Sequence, residues 1–403
     1  MPFDFDEIID RRNTNAMAKQ GFRDYLFEGQ DPVELPCADD DALSMWVADM
    51  AFASAPAARA AMVDRIQDHP IFGYSAVFGT DFYDTFAAWC DDHYDWRPEP
   101  DHLVTSAGIV PALHDFVKLY VGPDEKVLTL TPAYGFFRHS ADAYERELVT
   151  CGLVEEDAGH YTVDIADFEA KVSDPAVRMF FLCHPHNPTG RHWSDDELRA
   201  VANLCIAHDV LIISDEIHCD LLRKGRTHTP LAKLYPNYDK LITCMSSSKT
   251  FNLAGIGFAQ VIIPNDKIRD AWLDNAFVVS NPISVAAATG VFANGEPWRQ
   301  ELLAYLDDNF AYVAETFAAE LPEAVFAIPE ATYLAWINLS AYFPADLNLT
   351  RYFAEATGVL LEGGDMFVAD ADGHIRLNVA CPRATLVDGL GRVIDAVKTY
   401  GAG

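Results

Sequence analysis

The sequence lacks any excess of positive charge and any long apolar run. Lysine and arginine number 29 among 403 residues, against 61 aspartates and glutamates, so the formal net charge is −32 at pH 7. A surface this acidic repels nucleic acid and anionic lipid. No apolar run is long enough to cross a bilayer, and the first residues are acidic, unlike a secretory leader. We therefore expect no nucleic-acid partner and no membrane partner.

Paired cysteines are also missing. The eight cysteines are scattered, with no C-x-x-C pair and no spacing typical of metal ligands. We expect them to be free thiols in a reducing, cytoplasmic environment. His184 and His186 flank a proline and have no third ligand near them in sequence, so the sequence predicts no metal site there.

The length and the order of the predicted elements indicate an α/β protein of two domains. About half of the residues are apolar, which is enough for a large buried core. Strand-like and helix-like patterns alternate after residue 102, as in a mostly parallel sheet flanked by helices. After residue 282 long helices and short strands replace that alternation. We predict a large domain over 51–284 and a smaller, discontinuous α+β domain over 1–50 and 285–403, with an irregular N-terminal segment.

Polar side chains follow the predicted strands at their carboxyl ends. The strands are predicted over 102–105, 126–130, 177–183, 210–214 and 241–245, and the residues that follow them include Gly108, Tyr134, Asn187, Asp215 and Lys249. Carboxyl ends of parallel strands share one crevice, which is where such sheets bind ligands. We expect these residues to converge on one site.

Lys249 lies in a loop of small residues, directly after three serines. A lysine in such a loop is most often solvated. The alternative is a lysine that forms a Schiff base with a carbonyl cofactor. The hydroxyls of Ser246 and Ser248 would then suit a phosphate, together with the amides of Ala107, Gly108 and Ile109 at the start of a predicted helix.

A pyridine aldehyde phosphate would match the other residues. Asp215 would pair with the ring nitrogen, Asn187 would bond the phenolic oxygen, and Tyr134 would stack on the ring. Arg376, on a predicted strand of the small domain, could hold a substrate carboxylate with its two-pronged guanidinium. Each residue also has an ordinary alternative: a helix cap for Asp215, a packed loop aromatic for Tyr134 and a surface arginine for Arg376.

Two further stretches allow two interpretations. Residues 46–50, Trp-Val-Ala-Asp-Met, are either a short buried strand or backbone that lines the mouth of a ligand site. Tyr74 lies in a loop marked by Pro70 and Gly73, where a tyrosine usually packs but can also donate its hydroxyl to an anion.

Several stretches together resemble a known family. They are residues 10–14, 45–50, 69–74, 185–190, 214–218, 248–255 and 376–383. The chain resembles the fold-type I pyridoxal-phosphate enzymes of the class I/II aminotransferase superfamily. More narrowly, it is similar to the MalY/PatB type of cystathionine β-lyase, and the resemblance covers the chain nearly end to end.

This resemblance implies a PLP-dependent transferase-like fold, pyridoxal 5′-phosphate (PLP) as cofactor and a homodimer whose sites lie at the subunit interface. Tyr74 would reach the partner's cofactor phosphate, and Trp46 and Val47 would lie over the substrate. Lys249 would act as the general base of an α,β-elimination that releases a thiol, pyruvate and ammonia.

Two positions depart from the broader aminotransferase pattern. His218 stands where aminotransferases usually place a tyrosine that bonds the cofactor's phenolic oxygen, and Gly257 stands where many have an arginine on the phosphate. Both are usual in the lyase branch, so the resemblance favours a carbon–sulfur β-lyase acting on L-cystathionine or L-cysteine S-conjugates. The alternatives are an aminotransferase for aromatic or sulfur amino acids, or a lyase with an added regulatory protein-binding role.

Overall fold

The computed structural model describes residues 3–75, 77, 81–156, 158–276 and 279–400. Residues 1 and 403, the outer limits of the predicted small domain, lie outside the described residues. The helices are α1 Met17–Gln20, α2 Phe22–Leu26, α3 Pro56–Asp68, α4 Phe82–Tyr94, α5 Ile109–Tyr120, α6 Gly135–Asp142, α7 Ile165–Val172, α8 Asp195–Ala207, α9 Leu231–Leu234, α10 Ser247–Thr250, α11 Asp266–Asn275, α12 Pro282–Asn294, α13 Glu296–Glu320, α14 Leu349–Thr357 and α15 Arg383–Tyr400. The strands are β1 Leu43–Ser44, β2 Leu103–Ser106, β3 Lys126–Thr131, β4 Glu147–Glu155, β5 Tyr161–Val163, β6 Val177–Cys183, β7 Leu211–Asp215, β8 Leu241–Met245, β9 Ala259–Ile262, β10 Leu334–Asn338, β11 Val359–Leu360, β12 Glu362–Gly363 and β13 His374–Asn378.

An eight-stranded sheet in the order β2-β9-β8-β7-β6-β3-β4-β5 forms the centre of the larger part. Strands β8, β7, β6, β3 and β4 are parallel, whereas β9 runs antiparallel to both of its neighbours and β5 runs antiparallel to β4. Because β2 is antiparallel to β9, it points the same way as β8. The carboxyl ends of β2, β3, β6, β7 and β8 therefore lie along one edge, and the predicted mostly parallel α/β sheet is confirmed.

Both faces of the sheet's central strands are buried, which explains why β6, β7 and β8 consist largely of apolar residues. Phe181 packs with Phe116 and Trp272 in a core cluster on one face. The neighbouring residue in β6, Phe180, belongs to a second cluster with Phe168, since successive strand residues point to opposite faces.

A second group of elements is built from the two ends of the chain. Strands β10, β13 and β12 form an antiparallel sheet, and β1 pairs with β11 in parallel. Helix α13 packs on α15, and α15 packs on α14. Helix α12, however, packs on α3 and α4, which belong to the predicted large domain. The domain division at residue 284 stays a prediction.

The N-terminal segment differs from the expected irregular chain, because it contains the short helices α1 and α2 and the strand β1. Phe22 and Leu26 lie one turn apart and are both buried in a cluster with Trp46. One apolar pair is too short a pattern to predict a helix. A strand over residues 46–50 is wrong, since those residues lie outside every strand and their backbone carbonyls accept side-chain hydrogen bonds instead.

All eight cysteines are free thiols, and seven of them are buried. Within the described ranges, no helix has the length and apolar character needed to cross a membrane.

Candidate active site

Lys249 follows β8 directly and lies in the one-turn helix α10. Its half-buried side chain donates from Nζ to the carbonyl oxygen of Ala48 at 2.7 Å. Burial and, second to it, the nearby guanidinium of Arg376 lower the pKa of this amine to about 8, although Asp49 and Asp215 act in the opposite direction. A substantial fraction of the amine is therefore neutral near physiological pH, as a nucleophile or base requires.

Asp215 ends strand β7, one strand away from Lys249 in the sheet. Its carboxyl group is buried, and burial raises its pKa to about 7, although the backbone amide of Ile217 donates to it at 3.2 Å and Lys249 favours its charged form. A carboxylate in such a place is costly unless a cation joins it. A protonated ring nitrogen would be such a cation.

Asn187 and Arg376 meet across the two sheets. Arg376 on β13 donates from Nη1 to Oδ1 of Asn187 at 2.9 Å and from Nη2 to the carbonyl oxygen of Trp46 at 3.2 Å. It also forms a buried ion pair with Glu362. Because Oδ1 of Asn187 accepts from the guanidinium, the amide's donor end is the part that can bond a ligand oxygen.

The backbone of residues 46–49 is held on several sides. Besides Arg376 and Lys249, Asn378 donates to the carbonyls of Val47 at 2.7 Å and Asp49 at 2.5 Å. The Asp49 side chain accepts two hydrogen bonds from Arg11, at 2.7 and 3.1 Å. The interpretation of this segment as the lining of a ligand site is therefore favoured.

The residues predicted to hold a phosphate also lie together. Ser246 donates to the carbonyl oxygen of Phe258 at 2.8 Å and accepts from the Ser248 hydroxyl at 2.9 Å, which ties both serines to the start of β9. Gly257, just before, has φ +63°, and a Cβ there would lie 3.0 Å from the carbonyl oxygen of Ala107. Only glycine suits that combination. The serine loop therefore abuts the turn at Ala107 that leads into the N-terminus of α5, where free amides favour an anion.

His218 is fully buried, and Nδ1 of its ring has no hydrogen-bond partner among the residues described. Burial lowers its pKa well below the usual range, and the charges of Lys249 and Arg376 act in the same direction. The Nε atom of Arg376 is likewise buried without a partner in the described structure. Unsatisfied buried polar atoms of this kind are rare and point to a missing ligand. The donor set, with one basic amine, one carboxylate and a serine-lined turn, fits PLP.

Of the two predicted site tyrosines, Tyr134 lies at the site and Tyr74 lies on the surface. Tyr134 follows β3 at the same sheet edge, and burial and the charge of Glu362 raise its pKa. Tyr74 is 98% exposed on its own subunit, next to a bridge between Ser75 and Ser280. Of the predicted site residues, Tyr74 is the one that stays outside this cluster.

The comparison with protein families decides where the chain belongs. The family model described as aminotransferase class I and II matches residues 42–393. The chain belongs to the class I and II aminotransferase family.

The similar proteins include two that carry lyase names. The chain is 37% identical to cystathionine beta-lyase PatB of Bacillus subtilis, over 89% of this chain and 93% of that protein. It is 30% identical to protein MalY of Escherichia coli, over 98% and 99%. The structure matches the PLP-bound C-S lyase from Staphylococcus hominis with a TM-score of 0.93 and 41% identity, over 98% of both chains. The predicted PLP-dependent transferase fold is confirmed.

Sequence reasoning missed several residues of this family member's candidate site. Glu362 and Tyr333 were not singled out, although Glu362 pairs with Arg376 and Tyr333 donates to Ala48 O at 2.7 Å. Asn252 donates to the carbonyls of Met50 and Phe52 at 3.0 and 2.8 Å. Tyr333 and Asn252 contact residues 200 or more positions away, and Glu362 pairs with a residue about 15 positions away. No local sequence pattern therefore marks them. Asn252 and Asn378 lie in two of the stretches that resemble the family, 248–255 and 376–383, and that resemblance could have marked them as site residues.

Proposed function

We propose that this chain is a PLP-dependent carbon–sulfur β-lyase. It breaks the Cβ–S bond of L-cystathionine or of L-cysteine S-conjugates and releases a thiol, pyruvate and ammonia. The observation that carries the proposal is the group formed by Lys249, Asp215 and Arg376 at the carboxyl edge of the sheet, where a basic amine, a buried carboxylate and a guanidinium lie within electrostatic reach of one another. The names of the relatives, cystathionine beta-lyase and C-S lyase, supply the substrate class.

The residues assigned to the cofactor follow from their chemistry. Lys249 would bind its carbonyl carbon, and Asp215 would pair with its ring nitrogen. Asn187 and His218 would lie at its phenolic oxygen, and Tyr134 would stack on its ring. The phosphate would take Ser246, Ser248 and the amides of Ala107, Gly108 and Ile109. When bound, PLP supplies an electron sink that acidifies the substrate's α-carbon.

Lys249 is the residue that handles the proton. Its neutral Nζ takes the proton from the substrate's α-carbon and can return it to the departing sulfur. The Ala48 carbonyl, which accepts from Nζ at 2.7 Å, fixes the position of the amine. Asp215 holds a negative charge that favours a protonated ring nitrogen. With L-cystathionine, one water is consumed, and homocysteine, pyruvate and ammonia are formed.

Arg376 is our proposed anchor for the substrate carboxylate. It is almost fully buried and already directed into the site by Asn187 and the Trp46 carbonyl. Trp46 and Val47 would then line the substrate from above, with Tyr134 and Asn187 beside it. A β-elimination needs only a leaving group at the β-carbon, whereas an aminotransferase must also admit a second, keto-acid substrate.

We also propose a homodimer in which Tyr74 reaches the partner's cofactor phosphate. Its full exposure is otherwise unexplained, and Ile71 and Phe72 beside it are 80% and 53% exposed. Val63 and Ile66 of α3 extend this apolar surface, being 47% and 48% exposed. Adjacent exposed apolar residues of this kind mark interaction surfaces.

We place the protein in the cytoplasm, which suits eight free thiols, and keep the domain division at 51–284 as part of the proposal.

Turnover with purified protein tests the function. L-Cystathionine should yield pyruvate and homocysteine in equal amounts with no keto acid added. Absence of pyruvate, together with transfer of the amino group to 2-oxoglutarate from an aromatic amino acid, would identify an aminotransferase instead.

A further inference from the structure

Three histidines form a buried cluster behind the candidate active site. His184 lies just after β6, His192 lies in the loop before α8, and His228 lies in the loop before α9. Their ring centroids are 4.6 to 5.7 Å apart. One nitrogen of each ring lies within 4.8 Å of one nitrogen of each of the other two rings.

One nitrogen in each ring, His184 Nδ1, His192 Nε2 and His228 Nδ1, has no hydrogen-bond partner within the part of the chain that the structure describes. His184 and His228 are 0% and 2% exposed, so solvent does not satisfy them. A buried polar atom without a partner costs about 1–3 kcal/mol, so three in one place would be a considerable penalty. A ligand bound among the three would remove it.

In two of the rings, those of His184 and His228, the other nitrogen has a hydrogen-bond partner, and this sets which nitrogen can bind a ligand. His184 Nε2 lies 3.2 Å from the carbonyl oxygen of Thr229, and His228 Nε2 lies 2.7 Å from Glu216 Oε2. A carbonyl or carboxylate oxygen can only accept, so both Nε2 atoms carry a proton, and in a neutral ring Nδ1 is then an acceptor. A carboxylate behind a histidine is the arrangement that orients histidine ligands in metal sites.

The carboxylate itself is rigidly held. Glu216 is 0% exposed, and its second oxygen accepts from the Ser214 hydroxyl at 2.7 Å and from the Leu231 amide at 3.1 Å. Two carboxylates match the two guanidinium groups close to His192, because Arg191 and Arg226 both pair with Glu330, at 2.5 and 2.6 Å, and Arg191 also pairs with Glu197 at 2.5 Å. The surroundings therefore contain buried negative charge that a cation would neutralise.

We propose that His184, His192 and His228 form a binding site for a divalent cation that prefers imidazole, with Zn²⁺ as the best match. Three histidines leave a fourth position of the tetrahedron for a water molecule or another ligand. Zn–N bonds of about 2.0–2.1 Å place the nitrogens of a tetrahedral site about 3.3 Å apart. The ligand nitrogens, which lie within 4.8 Å of one another, would close to this spacing on binding. The sequence did not predict this site. His184 was considered together with His186, whereas the other two histidines of the site lie 8 and 44 positions away from His184.

The site is separate from the proposed PLP site but adjoins it. Asp215 belongs to the proposed cofactor site, whereas Glu216, the next residue, supports His228. His184 and His192 bracket the loop that carries Asn187. His186, between them, is not a member of the cluster, and its Nδ1 lies 2.8 Å from the Thr189 hydroxyl. A bound ion would thus tie three loops together behind the ring-binding side of the active site.

Equilibrium dialysis of the PLP-loaded enzyme against Zn²⁺, followed by metal analysis, tests the proposal. Excess Mg²⁺ should be present, since it occupies exposed carboxylates but not imidazoles. We expect one Zn²⁺ per chain, at least about tenfold weaker binding in His192→Ala, and unchanged binding in the control His208→Ala, which removes an exposed histidine. Equal binding by wild type and His192→Ala, or no Zn²⁺ retained by wild type, would overturn the proposal.

Two further measurements separate a metal site from a folding effect. Circular dichroism of metal-free His192→Ala should match that of wild type, since His192 is the least buried of the three. Co²⁺ should give the visible absorption of a tetrahedral nitrogen and oxygen site in wild type, and that band should be lost in His192→Ala. Zn²⁺ should raise the melting temperature of wild type by several degrees. A Co²⁺ spectrum that is identical in the two proteins contradicts the assignment.

Discussion

Lys249 and Tyr333 donate hydrogen bonds to the same atom, the carbonyl oxygen of Ala48, each at 2.7 Å. Lys249 comes from the end of a strand in the large sheet, whereas Tyr333 immediately precedes β10 in the small sheet. Tyr333 is fully buried. The shared acceptor therefore sets the position of the reactive amine relative to Arg376, which lies on the strand paired with β10.

Replacing Tyr333 by phenylalanine should lower kcat about 5- to 30-fold, while the lysine-bound cofactor keeps its visible absorbance. The hydroxyl removed is worth about 1–2 kcal/mol as a hydrogen bond, and a misplaced base slows proton transfer. Steady-state kinetics and an absorbance spectrum check this. Tyr238→Phe is the matched control, because its hydroxyl also donates to a carbonyl, that of Val210 at 2.6 Å. Equal losses in both variants would contradict a positioning role.

Replacing Lys249 by alanine should abolish the absorbance of the lysine-bound cofactor and reduce turnover by at least about 10²–10⁴-fold, the range for a lost general base. The variant should still fold, since removing a half-buried charge costs the core little. Lys224→Ala, an exposed loop lysine, is the control and should behave as wild type. Persistence of the absorbance band in Lys249→Ala would show that another amine holds the cofactor.

The pH dependence of cofactor attachment follows from the pKa of Lys249. Burial lowers that pKa to about 8, and only the neutral amine attacks a carbonyl. The rate at which cofactor-free protein takes up PLP should therefore rise between pH 6 and 9, with its midpoint about 8. Stopped-flow absorbance measures it. A rate that keeps rising to pH 10 would mean that the amine has the pKa of an exposed lysine.

Exchange of Arg376 for lysine should raise KM about 10²-fold without removing the cofactor absorbance. Lysine keeps the charge but loses the two-pronged geometry that suits a carboxylate. Kinetics with L-cystathionine test this, and Arg59→Lys, on the exposed side of α3, is the control. An unchanged KM would remove Arg376 as the carboxylate anchor.

Mixing two inactive variants tests the shared site. Tyr74→Ala and Lys249→Ala should each be poorly active, but a mixed dimer contains one site with both residues intact. Random exchange of subunits at equal amounts should restore about a quarter of wild-type activity, as twofold symmetry requires. The mixture is assayed before and after subunit exchange. No recovery, with mixed dimers demonstrated by mass spectrometry, would place Tyr74 in its own subunit's site or in none.

Strands β2, β3, β6, β7 and β8 of the sheet were predictable because each carries its own pattern. The run 177–183 is apolar except for Arg178 and matches β6 residue for residue, and the small-residue loop after β8 marked Lys249. Parallel strands place those ends together, so Asn187, Asp215 and Lys249 could be grouped without any structure.

What could not be predicted depends on contacts between distant parts of the chain. Glu362 pairs with Arg376 through the register of β12 against β13, and two-residue strands leave no recognisable pattern. Tyr333 meets Ala48 across 285 positions. The histidine cluster likewise joins three loops whose proximity arises only when α8 and α9 pack beside the sheet.

The most direct measurement follows product formation from L-cystathionine with and without 2-oxoglutarate. A β-lyase built around Lys249 should form pyruvate and homocysteine in equal amounts, at a rate that 2-oxoglutarate leaves unchanged and with no glutamate produced. Glutamate accumulating in step with consumption of the amino acid, with pyruvate absent, would contradict the account and identify the chain as an aminotransferase.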